Sequence, residues 1–180
     1  MKISHIFLTL GLISIWACSN DPKPVISTRL QHYDNGFKDT LENINKILIK
    51  KDQERIEAYI KRVGPEMDKS KTGLRYAVIE SQGNPKAKNK MTATINCRTE
   101  LLDGTVVFDS KNDGWRRIRV GYTESEAGLD EGISMMGTGD SAHFIAPPYL
   151  AKGLLGDFNK IPSRSVLVYK IRLISLKKRK

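Results

Sequence analysis

The sequence predicts an α+β fold, with an antiparallel sheet wrapped around one short helix and a helical extension on its N-terminal side. From Thr72 onward, apolar residues recur with a period of two in several short runs, as in strands that bury one face. Residues 126–136 form the one helical stretch in this half. Because a sheet must cover its apolar face, this helix is expected to pack against it.

Six runs carry the strand pattern. In the second run, Met91, Ala93, Ile95 and Cys97 share one face, which predicts a side directed toward the core. The runs are 73–81, 90–101, 104–110, 116–122, 140–146 and 165–173. The last of them is expected to be a long closing strand.

Residues 36–68 predict a pair of amphipathic helices. Asp52 lies where an N-cap would begin the second helix, and Gly64-Pro65 is expected to end it. The pair is interpreted as a packing accessory, and self-association is the alternative. The apolar residues at helical spacing are Phe37, Leu41, Ile44 and Leu48, then Ile56, Tyr59, Ile60 and Val63.

The first residues have the pattern of an export signal. Met1-Lys2 is basic and residues 3–17 are mostly apolar, but the run is shorter than the ~18 residues of a spanning helix. Ala17 directly before Cys18 resembles the lipobox of bacterial lipoproteins, in which the signal is cut before a cysteine that receives a lipid. Residues 1–17 are therefore predicted to be a signal peptide, and 18–35 a lipidated cysteine with a tether. The alternatives are an uncut signal-anchor and an ordinary signal with an accidental cysteine.

The net charge of +10 does not indicate a nucleic-acid-binding protein. Aromatic residues make up only 7% of the chain, and the basic residues are scattered apart from the cluster at 177–180. Nucleic-acid binding would need basic residues gathered on one face with stacking aromatics between them. No nucleic-acid partner is expected, and the terminal cluster is interpreted as a solvated end. A weak attraction to anionic lipid headgroups stays open.

No reactive side chain stands out. His32 and His143 are far apart in the predicted mature chain, so neither a metal site nor a cofactor is expected. Cys97 lies on the apolar face of a strand and is interpreted as an inert core residue. No Ser or Cys has an evident His–Asp pair. An enzyme with this sequence would work without a nucleophile.

Three segments carry a resemblance to a known family. Residues 103–110, 128–156 and 159–176 resemble the FK506-binding-protein (FKBP) type of peptidyl-prolyl isomerase, and the similarity runs from Gly73 to Leu176. The resemblance implies an FKBP-like fold over residues 69–180 and activity on proline-containing polypeptides. With the lipobox, the loop AKGLLGDFNKIP is similar to exported Bacteroidetes lipoproteins of this family, one branch of which is the gliding-motility-associated isomerases. That similarity implies a protein lipid-anchored in the cell envelope, at the outer membrane and facing the periplasm.

The resemblance also implies which residues form the site. In this family the loop between Pro148 and Pro162 overhangs an apolar pocket that accepts a proline side chain. The residues at catalytic positions are Phe108, Asp109, Leu129, Ile161 and Tyr169. Those expected to contact the substrate are Trp115, Lys152 and Leu154.

Several positions depart from the family pattern. Cys97 replaces a Tyr that orients the Asp109 carboxylate, and Lys152 replaces a Tyr that donates to the substrate. Ser125 and Glu126 replace two aliphatic wall residues. The missing donor to Asp109 is expected to be Arg98, Trp115 or Arg117. Two functions therefore stay open: an isomerase of reduced activity, and an FKBP-fold peptide-binding or assembly lipoprotein with little turnover.

Overall fold

The computed structural model describes residues 28–63, 65–122 and 126–178, with side chains from residue 36 onward. The chain divides into two compact units, residues 1–42 and Asn43–Lys180. The predicted signal peptide and Cys18 lie outside the described residues. Within the described ranges, no helix has the length and apolar content needed to cross a bilayer.

The N-terminal half forms one helix, α1 (Thr28–Val63), where two helices were predicted. It begins eight residues before the predicted helical segment, within the stretch 18–35 that was predicted as a tether. Asp52 lies inside this helix and is not an N-cap; it is buried, with the Arg164 Nη2 atom 2.7 Å from its Oδ2 atom. A single Asp costs a helix less than about 1 kcal/mol, so the helix continues through it. The helix ends at Val63, close to the predicted stop before Pro65.

Among the described residues, seven strands form one antiparallel sheet. Its order is β1-β2-β6-β7-β3-β4, and β5 pairs with β3 beyond the end of β4. This arrangement confirms the predicted fold class. The strands are β1 (Asp68–Lys69), β2 (Arg75–Glu80), β3 (Met91–Leu101), β4 (Val106–Asp109), β5 (Arg116–Arg119), β6 (Ser141–Ala146) and β7 (Leu167–Lys178).

Three short helical segments connect the strands. They are α2 (Ser110–Asp113), α3 (Ala127–Ser134) and a 3-10 turn at Pro148–Leu150. The helix α3 packs on the inner face of the sheet, as predicted, and buries Leu129 and Ile133 there. Its close approach requires glycine, because a Cβ atom at Gly132 would lie 2.7 Å from the Phe144 ring.

The outer face of the sheet is partly covered by the C-terminal part of α1. Ile56 is buried there against Ile145 and Val168, which point away from α3. Tyr59 and Ile60 pack on the same cluster, as the helical spacing predicted, whereas Val63 is exposed. Residues 43–63 therefore serve as a second layer of the domain, which leaves the inner face to carry the candidate site.

Candidate functional site

A row of side chains crosses the inner face of the sheet. Thr99 on β3 lies directly opposite Phe108 on β4 and Tyr169 on β7. Residues directly opposite one another in an antiparallel sheet share a face. Phe108, Thr99 and Tyr169 therefore lie side by side. Leu129 from α3 and Ile161 belong to the same hydrophobic cluster. Four of the five side chains expected at catalytic positions therefore belong to one hydrophobic core: Phe108, Leu129, Ile161 and Tyr169.

Tyr169 places a hydroxyl group in this otherwise apolar cluster. The side chain is fully buried, and neither its hydroxyl nor Thr99 Oγ1 has a hydrogen-bond partner. Burial raises the pKa of Tyr169 well above its usual value, and the nearby charge of Glu126 acts in the same direction. Tyr169 therefore keeps its proton as a hydrogen-bond donor. Most buried polar groups in proteins have a partner, so this hydroxyl marks a position suited to a polar group of a ligand.

Next to Tyr169 lies an ion cluster formed by Arg116, Glu126 and Lys152. Glu126 directly precedes α3 and is buried. Arg116 Nη2 donates to Glu126 Oε2 at 2.9 Å, and Lys152 Nζ lies 2.8 Å from Glu126 Oε1. The Arg116 guanidinium also stacks over the Phe108 ring, 5.4 Å from its centroid. One wall of the site is therefore charged and held in place by three side chains.

Arg116 stays protonated although its side chain is partly buried. Burial disfavours the charged guanidinium, but the Glu126 carboxylate outweighs this, so the pKa of Arg116 is raised. Arg116 is a site residue that the sequence interpretation missed. The signal was available in the alternation of β5, where Ile118 is buried and Arg116 lies opposite the buried Ile95.

Asp109 lies on the other face of the sheet, away from the Tyr169 cluster. It is directly opposite Arg98 on β3, and Arg98 Nη1 donates to Asp109 Oδ2 at 2.8 Å. The Lys111 backbone N–H donates to Asp109 Oδ1 at 2.9 Å, which caps α2. These hydrogen bonds, the backbone one first, lower the pKa of Asp109. Arg98 therefore supplies a donor to this carboxylate, which lies on the face opposite that of Phe108, Thr99 and Tyr169.

A β-bulge explains the position of Asp109. Thr99 faces Phe108 but Glu100 faces Val106, so β4 carries an extra residue, Val107, at this point. One extra residue changes which side chains of a strand face the core. Asp109 consequently lines an outer cleft of about 280 Å³ with Asn96 and other polar side chains.

The remaining predicted residues are either exposed to solvent or buried in the core. Trp115 and Leu154 are 61% and 66% exposed. Cys97 is buried, and burial raises the pKa of its thiol although Arg116 opposes the shift. The thiol is therefore a poor nucleophile. Ser125 lies outside the described residues. Among the side chains that the structure describes, no group of three or more His, Cys, Asp or Glu residues is arranged to hold a metal ion.

The sequence matches one family model and several known proteins. The model for FKBP-type peptidyl-prolyl cis-trans isomerases matches residues 83–174. FK506-binding protein 2 from Dictyostelium discoideum is 31% identical over 111 residues, which cover 61% of this chain and 81% of that protein. The isomerase FkpA from Buchnera aphidicola is 28% identical over 159 residues, which cover 84% of this chain and 61% of FkpA.

Two further comparisons concern longer proteins. The outer membrane protein MIP from Legionella longbeachae is 30% identical over 107 residues, which cover 59% of this chain and 46% of MIP. The crystal structure of FkpA from Escherichia coli superimposes with a TM-score of 0.63 at 25% identity, over 83% of this chain and 70% of FkpA. The chain therefore spans between about half and three fifths of the length of MIP and Buchnera FkpA.

Proposed function

Because the chain belongs to the FKBP-type peptidyl-prolyl cis-trans isomerase family, we propose that it catalyses rotation about X–Pro bonds in proline-containing polypeptides. The observation that supports this proposal is that Phe108, Leu129, Ile161 and Tyr169, which stand at four family site positions, belong to one hydrophobic core. We place the proline ring against Ile161 and Phe108. Trp115 and Leu154, both exposed, would contact the residues on either side of the proline.

The chemistry fits a site without a nucleophile. Rotation of a peptide bond meets a barrier of about 18–20 kcal/mol, and each tenfold acceleration needs only about 1.4 kcal/mol. An apolar enclosure disfavours the charge-separated planar amide relative to the twisted amide of the transition state. A hydrogen bond from the Tyr169 hydroxyl accelerates rotation only when it is made to the twisted amide, in which the lone pair of the prolyl nitrogen becomes an acceptor.

The ion cluster sets the access to this site. Tyr169 is fully buried, and Glu126 lies beside it between Arg116 and Lys152. A substrate that reaches the Tyr169 hydroxyl therefore has to displace part of the cluster. That displacement costs free energy, so we expect a slower isomerase than one with an aliphatic wall. In this proposal Asp109 positions β4 and α2 rather than touching the substrate.

The same cluster favours a second candidate function. If the ion pairs never open, the fold would bind peptides at its rim without turnover and would act as a peptide-binding or assembly module. The charged wall formed by Arg116 and Glu126 is the specific observation in favour of this alternative.

A proline-limited refolding assay separates the two candidates. The wild-type chain is added to an unfolded protein whose slow refolding phase is X–Pro isomerisation. We expect that phase to accelerate in proportion to the concentration of the chain, and the Ile161→Ser variant to accelerate it less. Peptide binding without any acceleration would favour the assembly module.

We also propose that the protein acts in the cell envelope, anchored by a lipid on Cys18 at the outer membrane and facing the periplasm. The support is the lipobox-like Ala17-Cys18 pattern, together with a relative that is named as an outer membrane protein. A place in the Bacteroidetes lipoprotein branch, with a link to gliding motility, is part of the same proposal. Cys18→Ser should leave an unprocessed precursor and remove the mature chain from the membrane fraction. A wild-type chain that is mature but carries no lipid would contradict the anchor.

A further inference from the structure

The loop that follows Lys152 carries the most exposed large apolar side chains in the described chain. Phe158 is 85% exposed, and Leu154 and Leu155 are each 66% exposed. Three large apolar side chains protrude within five residues. Isolated apolar side chains on a surface are ordinary, whereas a contiguous group indicates a binding surface.

The loop is held in a defined conformation by its own hydrogen bonds. Asp157 Oδ1 accepts the backbone N–H groups of Asn159 and Ile161 at 2.9 and 2.7 Å. The Asp157 N–H donates to the Ile161 carbonyl at 3.1 Å. Only glycine fits at position 156, because a Cβ atom there would lie 2.1 Å from the Ile161 oxygen. A turn fixed by these hydrogen bonds therefore holds the protruding side chains in place.

Phe158 adopts an uncommon backbone conformation. Its φ angle is +58°, in the left-handed region that large side chains seldom occupy. Strained residues of this kind concentrate at functional sites, where other interactions hold them in place. Here the strain keeps an aromatic ring in solvent, which brings no packing gain within the chain.

We propose that Leu155 and Phe158 form a docking surface for unfolded polypeptide segments with apolar side chains near the proline. This inference rests on the proposed isomerase function. The surface is continuous with the proposed site, since the same Asp157 carboxylate holds the loop and the N–H group of Ile161. A client chain with its proline at Ile161 would run across the tip of the loop.

The charges around the loop favour a polypeptide over a membrane. The cations at its two ends are engaged inward, Lys152 with Glu126 and Arg164 with Asp52. Within the loop, Lys160 is exposed, but its charge is offset by that of Asp157. The Asp157 carboxylate stays ionised at the tip, because the Ile161 N–H holds its pKa below the usual range. A loop that inserts into an anionic bilayer would instead carry a net positive charge beside its apolar residues.

The test compares a short and a long substrate with the double variant Leu155→Ser/Phe158→Asn. Asn tolerates the left-handed conformation at position 158, so the turn is kept. Ile79→Asn is the matched control, because Ile79 is 53% exposed on the outer face of the sheet. Thermal melts of both variants check that each is folded.

We expect the double variant to turn over a prolyl tetrapeptide at the wild-type rate. Its KM for proline-limited refolding of a protein should rise about tenfold, the order expected when two partly buried apolar contacts are lost, with kcat unchanged. The control should match the wild type on both substrates. Equal losses on both substrates, or no loss on either, would overturn the inference.

Two further measurements separate the causes of failure. If the wild type does not turn over the tetrapeptide, the proposed function is refuted. The docking surface is then tested separately, by the affinity of the chain for a reduced, carboxymethylated protein. A weaker affinity in the double variant than in the wild type supports the docking surface, and an unchanged affinity overturns it. Vesicles of phosphatidylglycerol test the membrane. Loss of vesicle binding with unchanged affinity for the unfolded protein would overturn the inference in favour of a lipid surface.

Discussion

The ion cluster beside Tyr169 offers the sharpest test of how the site is built. Glu126→Leu removes the carboxylate that Arg116 and Lys152 share, and leaves two cations facing an apolar side chain. Lys152→Leu removes one cation and leaves the Arg116–Glu126 pair. The two variants therefore differ in how much uncompensated charge they create.

The structure sets the expected size of the effect. The Glu126 side chain is 7% exposed, whereas those of Arg116 and Lys152 are 27% and 23% exposed. Removing one partner from a fully buried ion pair costs about 3–5 kcal/mol. Because both cations keep about a quarter of their surface in water, we expect Glu126→Leu to lower the free energy of unfolding by about 2–3 kcal/mol. Lys152→Leu should cost about 1 kcal/mol, as a partly exposed pair does.

Urea unfolding of both single variants and the double variant gives the coupling between Glu126 and Lys152. We expect the two losses to be non-additive by about 1 kcal/mol or more, as for residues in direct contact. The triple variant Arg116→Phe/Glu126→Ile/Lys152→Tyr should recover stability, because packed apolar side chains can replace buried charges at little cost. It should also raise kcat/KM for a prolyl tetrapeptide at least tenfold. Additive losses, or a triple variant less stable than Glu126→Leu, would refute this account of the charged wall.

Three other changes test separate parts of the structure. Tyr169→Phe should leave the free energy of unfolding within about 1 kcal/mol of wild type, since the hydroxyl has no partner to lose. The same variant should lower kcat/KM about tenfold if that hydroxyl donates in the transition state. An unchanged kcat/KM would remove Tyr169 from the mechanism. The Asp109 carboxylate has a lowered pKa in the folded state, so its contribution is present above the unfolded value of about 3.9 and is lost as pH falls through the folded value. Asp109→Asn should accordingly flatten the loss of stability in acid, measured by thermal melts from pH 7 to pH 2, and an unchanged profile would contradict the assignment. Gly132→Ala should lower the free energy of unfolding by about 1–3 kcal/mol through overpacking against Phe144, whereas a neutral result in urea would show that the ring can move aside.

Most of the fold was accessible from the sequence because its signals are local. The period-two runs and the 126–136 helix depend on alternation that any half-buried strand or amphipathic helix shows. The expectation for Phe108, Leu129 and Tyr169 followed from a resemblance whose motifs lie on strands and a helix, and Ile161 followed from the part of the motif that lies in the loop before β7.

The sequence was misleading at positions whose structure depends on contacts with residues far away in the chain. Asp52 resembles a helix N-cap by type and spacing, but Arg164, more than a hundred residues away in sequence, pairs with it inside a continuous helix. The face of Asp109 depends on the bulge at Val107, which is defined by pairing with β3 and not by β4 alone. Arg116 was missed because the type of a basic residue does not indicate burial, although its spacing of two from Ile118 predicts that both face the same side.

The most direct test of the central claim is exchange NMR on a prolyl tetrapeptide mixed with the wild-type chain. This measurement detects weak catalysis as cross peaks between the cis and trans forms and needs no coupled reaction. The account predicts cis–trans exchange above the uncatalysed rate, reduced by Tyr169→Phe and increased by the triple variant at positions 116, 126 and 152. Exchange at the uncatalysed rate, with the peptide visibly bound to the chain, would contradict it.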